Sequence, residues 1–196
     1  MNLFISVFTK FFFVLAPFFV LSMFLAMTKG MTRAEQRGIA IRVTISNIVL
    51  CGVIFFFGNP LFEILGITLD SFRIGAGALL FLSAVSLVQG QKGGKIQTGD
   101  GDISVVPLSI PITIGPATVG VMMVMSAGLP DAVQQAIGFG ALFAAVICLG
   151  AILYSASRIE KALGKMGIEI LTKLSGLVLA ALAAQIIFTG IKNFLM

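Results

Sequence analysis

Histidine is absent from this 196-residue chain, cysteine occurs twice, and Asp and Glu together number only 8. Without imidazole, without a carboxylate pair at depth, and with no Ser or Cys beside a plausible base, hydrolytic and metal-dependent chemistry lack their parts. The chain is therefore not expected to be an enzyme. Cys51 and Cys148 lie in distant apolar runs with no CxxC spacing, and both read as buried free thiols. Acidic residues are also missing from the middle of every apolar run. That argues against a dicationic substrate and against a buried carboxylate relay for protons.

What the chain has in abundance is apolar surface: 58% of residues are hydrophobic, 11% are charged, and the mean hydropathy is +1.10. Such values lie far outside the range of soluble domains and define an integral membrane protein. The length leaves room for about six spans of roughly 20 residues and no separate soluble domain. The 13 Lys and Arg sit in connections between apolar runs, so topology explains them better than nucleic-acid binding does.

The expected spans run from about Leu3 to Met27, from the first loop to Phe57, from Ser71 to Val88, from about 103 to Ala127, from Pro130 to Tyr154, and from Lys165 to Thr189. The first lacks a basic leader and an A-x-A cleavage pattern, so it reads as a retained span. Thr32-Arg-Ala-Glu35 is a capping box opening the second. Gly58-Asn59-Pro60 is expected to end that span, with Leu61 to Leu69 as a short connector. Gly90 to Asp102 reads as a glycine-rich flexible loop, and Arg158 to Lys165 as a charged loop. Lys29, Arg33, Arg37, Arg42, Lys92, Lys95, Arg158, Lys161, Lys165 and Lys173 surround loops one, three and five. Lys10, Arg73 and Lys192 fall on the other side. The positive-inside rule then places the odd loops in the cytoplasm and both termini in the periplasm.

The stretch Pro107-Leu-Ser-Ile-Pro111-Ile-Thr-Ile-Gly115-Pro116-Ala-Thr118 sets three prolines and a glycine inside a span. Interior prolines remove backbone donors and clash with the carbonyl four residues back, so the helix should break near its middle. Backbone groups freed at that depth must be buried in protein or line a polar cavity. A helix restarting at Pro116 would point the amides of Ala117, Thr118 and Val119 at a carboxylate, while carbonyls released near Pro107 and Ile112 would accept an ammonium group or a cation. Such a pocket suits a small zwitterion. Thr113 and Thr118 offer hydroxyls, although threonine in a membrane helix often bonds its own backbone.

The halves correspond. Pro17 in the first span matches Pro116 in the fourth, and Arg73-Ile-Gly-Ala-Gly77 is echoed by Lys173-Leu-Ser-Gly176. Three spans per half is odd, so the expected fold is all-α, six transmembrane helices as two inverted three-helix repeats with broken helices 1 and 4. One transmembrane domain, 1–196, would hold repeat 1 (about 1–90), a loop (91–102) and repeat 2 (about 103–196). Asn47 either lines the cavity or bonds between helices, and Gln185 has the same two readings. Lys10 is expected to snorkel to the outer interface and Arg73 to anchor its span in the same way. Gly75, Gly77, Gly138, Gly140 and Gly176 read as close-packing surfaces.

Phe72-Arg-Ile-Gly-Ala-Gly77, Val106-Pro-Leu-Ser-Ile-Pro111, Gly115-Pro116, and Gly176-Leu-Val-Leu179 with Gln185 and Thr189-Gly-Ile191 together resemble the MarC family, also called the small neutral amino acid transporter family. The resemblance covers essentially the whole chain. It implies a six-span bacterial inner-membrane protein, with some members moving alanine, glycine or serine. On this reading the substrate-binding residues would be Pro17, Phe18, Asn47, Pro111, Thr113, Gly115, Pro116, Ala117 and Thr118, with no bound cofactor, coupling to protons or sodium, and export preferred over uptake. A non-transporting or channel-like protein of the same fold is the alternative. Oligomeric state is not legible. Where the family usually reads Asn-Pro-x-Gly followed by a second Pro, this chain reads Ala16-Pro17-Phe18-Phe19 with Ser22.

Overall fold

A computed structural model describes residues 2–90, 104–129 and 131–195, and the described residues are almost entirely helical. The expected loop at 91–102 lies outside them. Helix α1 (Asn2–Val14) and α2 (Pro17–Met27) form one broken traverse, followed by α3 (Arg33–Leu65) and α4 (Leu69–Gln89). A π-helical segment (Ser104–Thr113) and α5 (Pro116–Ala127) form a second broken traverse. Helices α6 (Ala132–Tyr154) and α7 (Ala156–Leu195) complete the bundle. Five stretches are long and apolar enough to cross a membrane, and α5 is a shorter apolar helix.

Burial follows from which faces meet. Phe11, Leu15, Leu21 and Phe24 pack with Val43, Phe55, Leu142 and Leu149 in the larger core, while Val14, Leu80, Ala84, Ala117, Val121 and Leu179 form a second. The outer face of α3 instead exposes Ile41, Ile45, Val49 and Val53 at four-residue spacing. Apolar residues on the outside as well as the inside are what a lipid solvent selects.

Glycine lets α4 and α7 approach closely. A Cβ on Gly77 would lie 2.6 Å from Ile187 Cγ1, and one on Gly176 would lie 3.1 Å from the Ala84 carbonyl oxygen. Gly138 is similarly crowded by Leu129 and Phe55. Gly75 and Gly140 depart from the expected packing role: nothing lies within 4 Å of the position a Cβ on Gly75 would take, and one on Gly140 would meet only the Phe4 ring at 4.0 Å.

Two expected boundaries are corrected. Helix α3 continues through Gly58-Asn59-Pro60 to Leu65 and closes at Gly66, whose φ is 63°. Its apolar part, Arg33–Phe57, has 25 residues. At 1.5 Å per residue these rise about 37 Å, more than the roughly 30 Å hydrocarbon layer. Pro60 therefore lies beyond the apolar part of α3. The charged stretch Arg158–Lys165 is also helical, interrupted only at Gly164 (φ 65°, ψ 175°). Within it Ile159 packs on the core, while Arg158, Lys161 and Lys165 are exposed.

The capping box forms as expected. The Thr32 amide donates to Glu35 Oε2 at 2.7 Å, and the Glu35 amide donates to Thr32 Oγ1 at 3.3 Å. At this end Gln36 Nε2 donates to the Thr28 carbonyl at 3.3 Å, and the Arg37 guanidinium lies 4.8 Å from the centre of the Tyr154 ring. Arg33, Arg37 and Arg158 line one small pocket there. Leu3, Arg73 and Thr189 line one cavity at the opposite end, so both chain ends lie on that side.

Ala16 carries the first break in a left-handed conformation, φ 47° and ψ 57°. The right-handed helical region is sterically disfavoured for a residue before proline. The left-handed region costs a residue with a Cβ roughly 1–2 kcal/mol, a penalty that glycine escapes. Ala16→Gly is therefore expected to stabilise the protein by about 1 kcal/mol, where glycine in a regular helix would destabilise it. Thermal melting in detergent measures this, and a lowered Tm would show that Ala16 is not held left-handed.

Candidate functional site

The second break is built as its prolines dictate. With Pro107 and Pro111 unable to donate, Ser104–Thr113 widens into a π-helix, and the Ile114 amide bonds the Ser109 carbonyl at 2.9 Å, five residues back. Side chains follow the same spacing. Thr113 Oγ1 donates to the Leu108 carbonyl at 2.7 Å and Thr118 Oγ1 to the Thr113 carbonyl at 3.3 Å. Both hydroxyls thus satisfy carbonyls of the break rather than standing free for a ligand.

Helix α5 restarts with Gly115 as N-cap (φ −87°, ψ 174°) and Pro116 in the first turn, and no side chain caps it. The Val119 amide bonds the Gly115 carbonyl at 3.0 Å, so it is not one of the free donors expected. Pro116 has no N–H, which leaves the Ala117 and Thr118 amides without an acceptor inside the helix. Thr113, Ala117 and Thr118 are buried, Gly115 is half-buried and Pro116 is exposed.

The first break has the same form. Pro17 starts α2, Ala16 gives no side-chain cap, and the Val20 amide bonds the Ala16 carbonyl at 3.0 Å, leaving the Phe18 and Phe19 amides as the end donors. Pro17 is buried and Phe18 half-buried. The 11 residues of α2 and the 12 of α5 rise about 16 and 18 Å from their breaks, roughly half the hydrocarbon layer each. Both breaks are therefore near mid-depth. They approach each other where Val14, at the end of α1, shares a core with Ala117 and Val121.

Asn47 is 1% exposed, and neither its Oδ1 nor its Nδ2 has a hydrogen-bond partner. Its depth can be read from register. Thr44 packs on Gly150 and Gly52 on Phe139, so α3 runs antiparallel to α6 and, through the short α5–α6 turn, parallel to α5. Ser126 Oγ donates to the Phe55 carbonyl at 2.5 Å. Eight residues back along each parallel helix are Asn47 and Thr118, which places the unpartnered amide at the depth of the α5 restart. Pro111 lies in the π-helical segment, against which α3 also packs.

Two cavities flank these elements. An apolar groove of about 790 Å³ between α4 and the second break is lined by Ile110, Ile114, Gly115 and Pro116. A more polar cavity of about 310 Å³ is lined by Lys10, Arg73, Gln134 and Gln185. Lys10, Arg73 and Gln185 were each legible as polar residues in or beside a span, but not as sharing a cavity. Ser126 carried no signal of its interhelical bond. Cys51 is a buried free thiol as expected, whereas Cys148, also free, is only half-buried.

Five to six apolar helices, two of the traverses broken at proline, define a multi-pass integral membrane protein. The family model described as MarC family integral membrane protein matches residues 1–195, and the chain belongs to that family. Among its relatives, a UPF0056 membrane protein of Methanocaldococcus jannaschii is 30% identical over 203 residues, covering 98% of both chains. The UPF0056 membrane protein YvbG of Bacillus subtilis is 32% identical, covering 96% of this chain and 94% of its own. YhcE of Escherichia coli, also named a UPF0056 membrane protein, is 29% identical, covering 90% and 86%. No solved structure matches the chain.

Proposed function

We propose that this protein is a secondary transporter of small neutral amino acids, alanine, glycine or serine, exporting them across a bacterial inner membrane with a proton or sodium gradient as driver. In this reading it is not an enzyme, and its halves are inverted repeats whose broken helices present the Ala117 and Thr118 amides, and those of Phe18 and Phe19, to the solute. The observation that carries the reading is Asn47. A buried amide with both polar atoms unpartnered costs about 1–3 kcal/mol, and it stands at the depth where helix-end amides also lack acceptors. A zwitterion satisfies both: its carboxylate takes the helix amides and its ammonium the Asn47 oxygen. Asn47, Ala117 and Thr118 are buried, so in this reading the solute reaches them only after a change of conformation.

Flux of radiolabelled alanine, glycine and serine in proteoliposomes tests this under imposed proton and sodium gradients. No saturable flux of any of them would favour a non-transporting or channel-like protein. Asn47→Leu sharpens the test. If the amide serves the solute, removing an unsatisfied polar group leaves stability equal or higher while transport falls about tenfold or more, the value of one hydrogen bond to a charged group. Loss of stability together with transport would instead make Asn47 a structural residue.

The orientation is read from the basic end. With Cys51 and Cys148 replaced, Lys29→Cys and Lys161→Cys should be shielded from an impermeant thiol reagent in intact cells, while Asp131→Cys reacts. All three positions are exposed. The opposite labelling pattern would put the termini in the cytoplasm.

A further inference from the structure

Lys10 is an unusual residue for its place. It lies in the apolar helix α1, eight residues after its first, so about 12 Å along it. It is half-buried and, among the described residues, has no carboxylate within ion-pair distance. An ionisable side chain at such a position normally faces a partner or a water-filled path. Here it lines the 310 Å³ cavity together with Arg73, Gln134 and Gln185. The other polar groups are largely committed. Arg73 Nη1 bonds Asp70 Oδ1 at 2.6 Å, and Gln134 Nε2 donates to Asp131 Oδ2 at 2.9 Å. The Lys10 ammonium is thus the unmatched charge of the cavity, which the Gln185 side chain also lines. Buried Val14 and Val121 form the floor, and both belong to the core that also holds Ala117, at the second break.

We propose that this cavity is a carboxylate-binding vestibule on the side of the chain termini, with the Lys10 ammonium as its anchor and the Gln185 amide as a second donor. It is a subsite distinct from the mid-depth breaks and separated from them by the Val14–Val121 floor. Resting on the transport reading above, it is the station where the solute's carboxylate is held between the inner site and the outer water. The ligand class is a small monocarboxylate, whether or not it also carries an ammonium group.

The chain contains no tryptophan, so Leu3→Trp, at a half-buried position lining the cavity, gives a clean fluorescence reporter in the detergent-solubilised full chain. Propionate is expected to change its emission saturably, and propylammonium is not. Adding Lys10→Gln should weaken propionate binding about ten- to a hundredfold, the value of a charge-assisted hydrogen bond. Lys10→Arg should retain it, and Gln185→Leu should show a smaller loss. Unaltered Tm in Lys10→Gln excludes misfolding. Propionate binding unchanged in Lys10→Gln, or equal responses to propionate and propylammonium, overturns the vestibule whatever the proteoliposomes show. Saturable, Lys10-dependent propionate binding without any amino acid flux upholds the anion subsite and removes the transport reading instead.

Discussion

Gly115→Leu combined with Pro116→Ala should reduce solute flux to the level of empty vesicles while the protein still inserts and purifies as a single species. The break exists because Pro116 cannot donate and Gly115 is extended at φ −87° and ψ 174°. Replacing both lets the chain run as a continuous helix from the π-helical segment into α5. The Ala117 and Thr118 amides then find acceptors four residues back, and the leucine side chain so introduced occupies the opening. Position 116 becomes interior in the continuous helix, where proline would cost ~3 kcal/mol relative to alanine, so the paired substitution removes the residue that would oppose the continuous span. Flux at wild-type level would show that the break only shapes packing and that the solute passes elsewhere.

A second large effect is expected in stability rather than transport. A Cβ on Gly190 would lie 2.8 Å from the Asp70 carbonyl oxygen and 3.0 Å from both Arg73 Cβ and Ile74 Cγ1. The nearest of these is backbone, which cannot rotate away. Gly190→Ala should therefore force α7 from α4 and cost about 1–3 kcal/mol, read as a Tm lower by roughly 2–4 °C per kcal/mol in a chain of this size. Gly75→Ala, on the same helix α4 but with open space around it, should be neutral or raise Tm, since alanine is favoured over glycine in a helix by up to about 1 kcal/mol. Equal melting of the two variants would mean that the α4–α7 seam is looser than its spacing implies.

Most of the fold was legible in the chain because lipid makes composition decisive: long apolar runs between basic connections leave few alternatives to membrane-spanning helices. Pro17 and Pro116 marked both breaks, since proline acts on the backbone regardless of its surroundings. The failures came where a local signal met a context it does not encode. Gly58-Asn59-Pro60 carries the signals of a helix end, yet the helix continues to Leu65 and closes only at Gly66. Arg158–Lys165 looked like a loop by charge, but its backbone is helical up to Gly164 and Ile159 packs on the core.

The site was legible in its backbone and less so in its side chains. Prolines mark where amides are freed, but not that the Thr113 and Thr118 hydroxyls turn back onto carbonyls five residues away. Asn47 could be singled out as polar within a span. That both its polar atoms lack partners is a property of the packing of α3 against its neighbours, which no spacing rule contains. The joining of Lys10, Arg73, Gln134 and Gln185 around one cavity is likewise a matter of three-dimensional register.

The two pre-proline residues leave the helical region by different exits: Ala16 is left-handed at φ 47°, whereas Gly115 is extended at φ −87°. The residue with a Cβ takes the conformation that penalises one, and the residue without a Cβ takes a conformation open to any. Backbone strain is thus distributed unequally between the halves, with roughly 1–2 kcal/mol concentrated at Ala16. If the halves exchange conformations during a transport cycle and only one of the two orientations relieves that strain, the resting balance is weighted by roughly 5- to 30-fold toward the relieved one. A single alanine would then act as a thermodynamic tilt on the cycle, and Ala16→Gly would level it, shifting resting accessibility from one face of the membrane toward the other without altering any group that touches the solute.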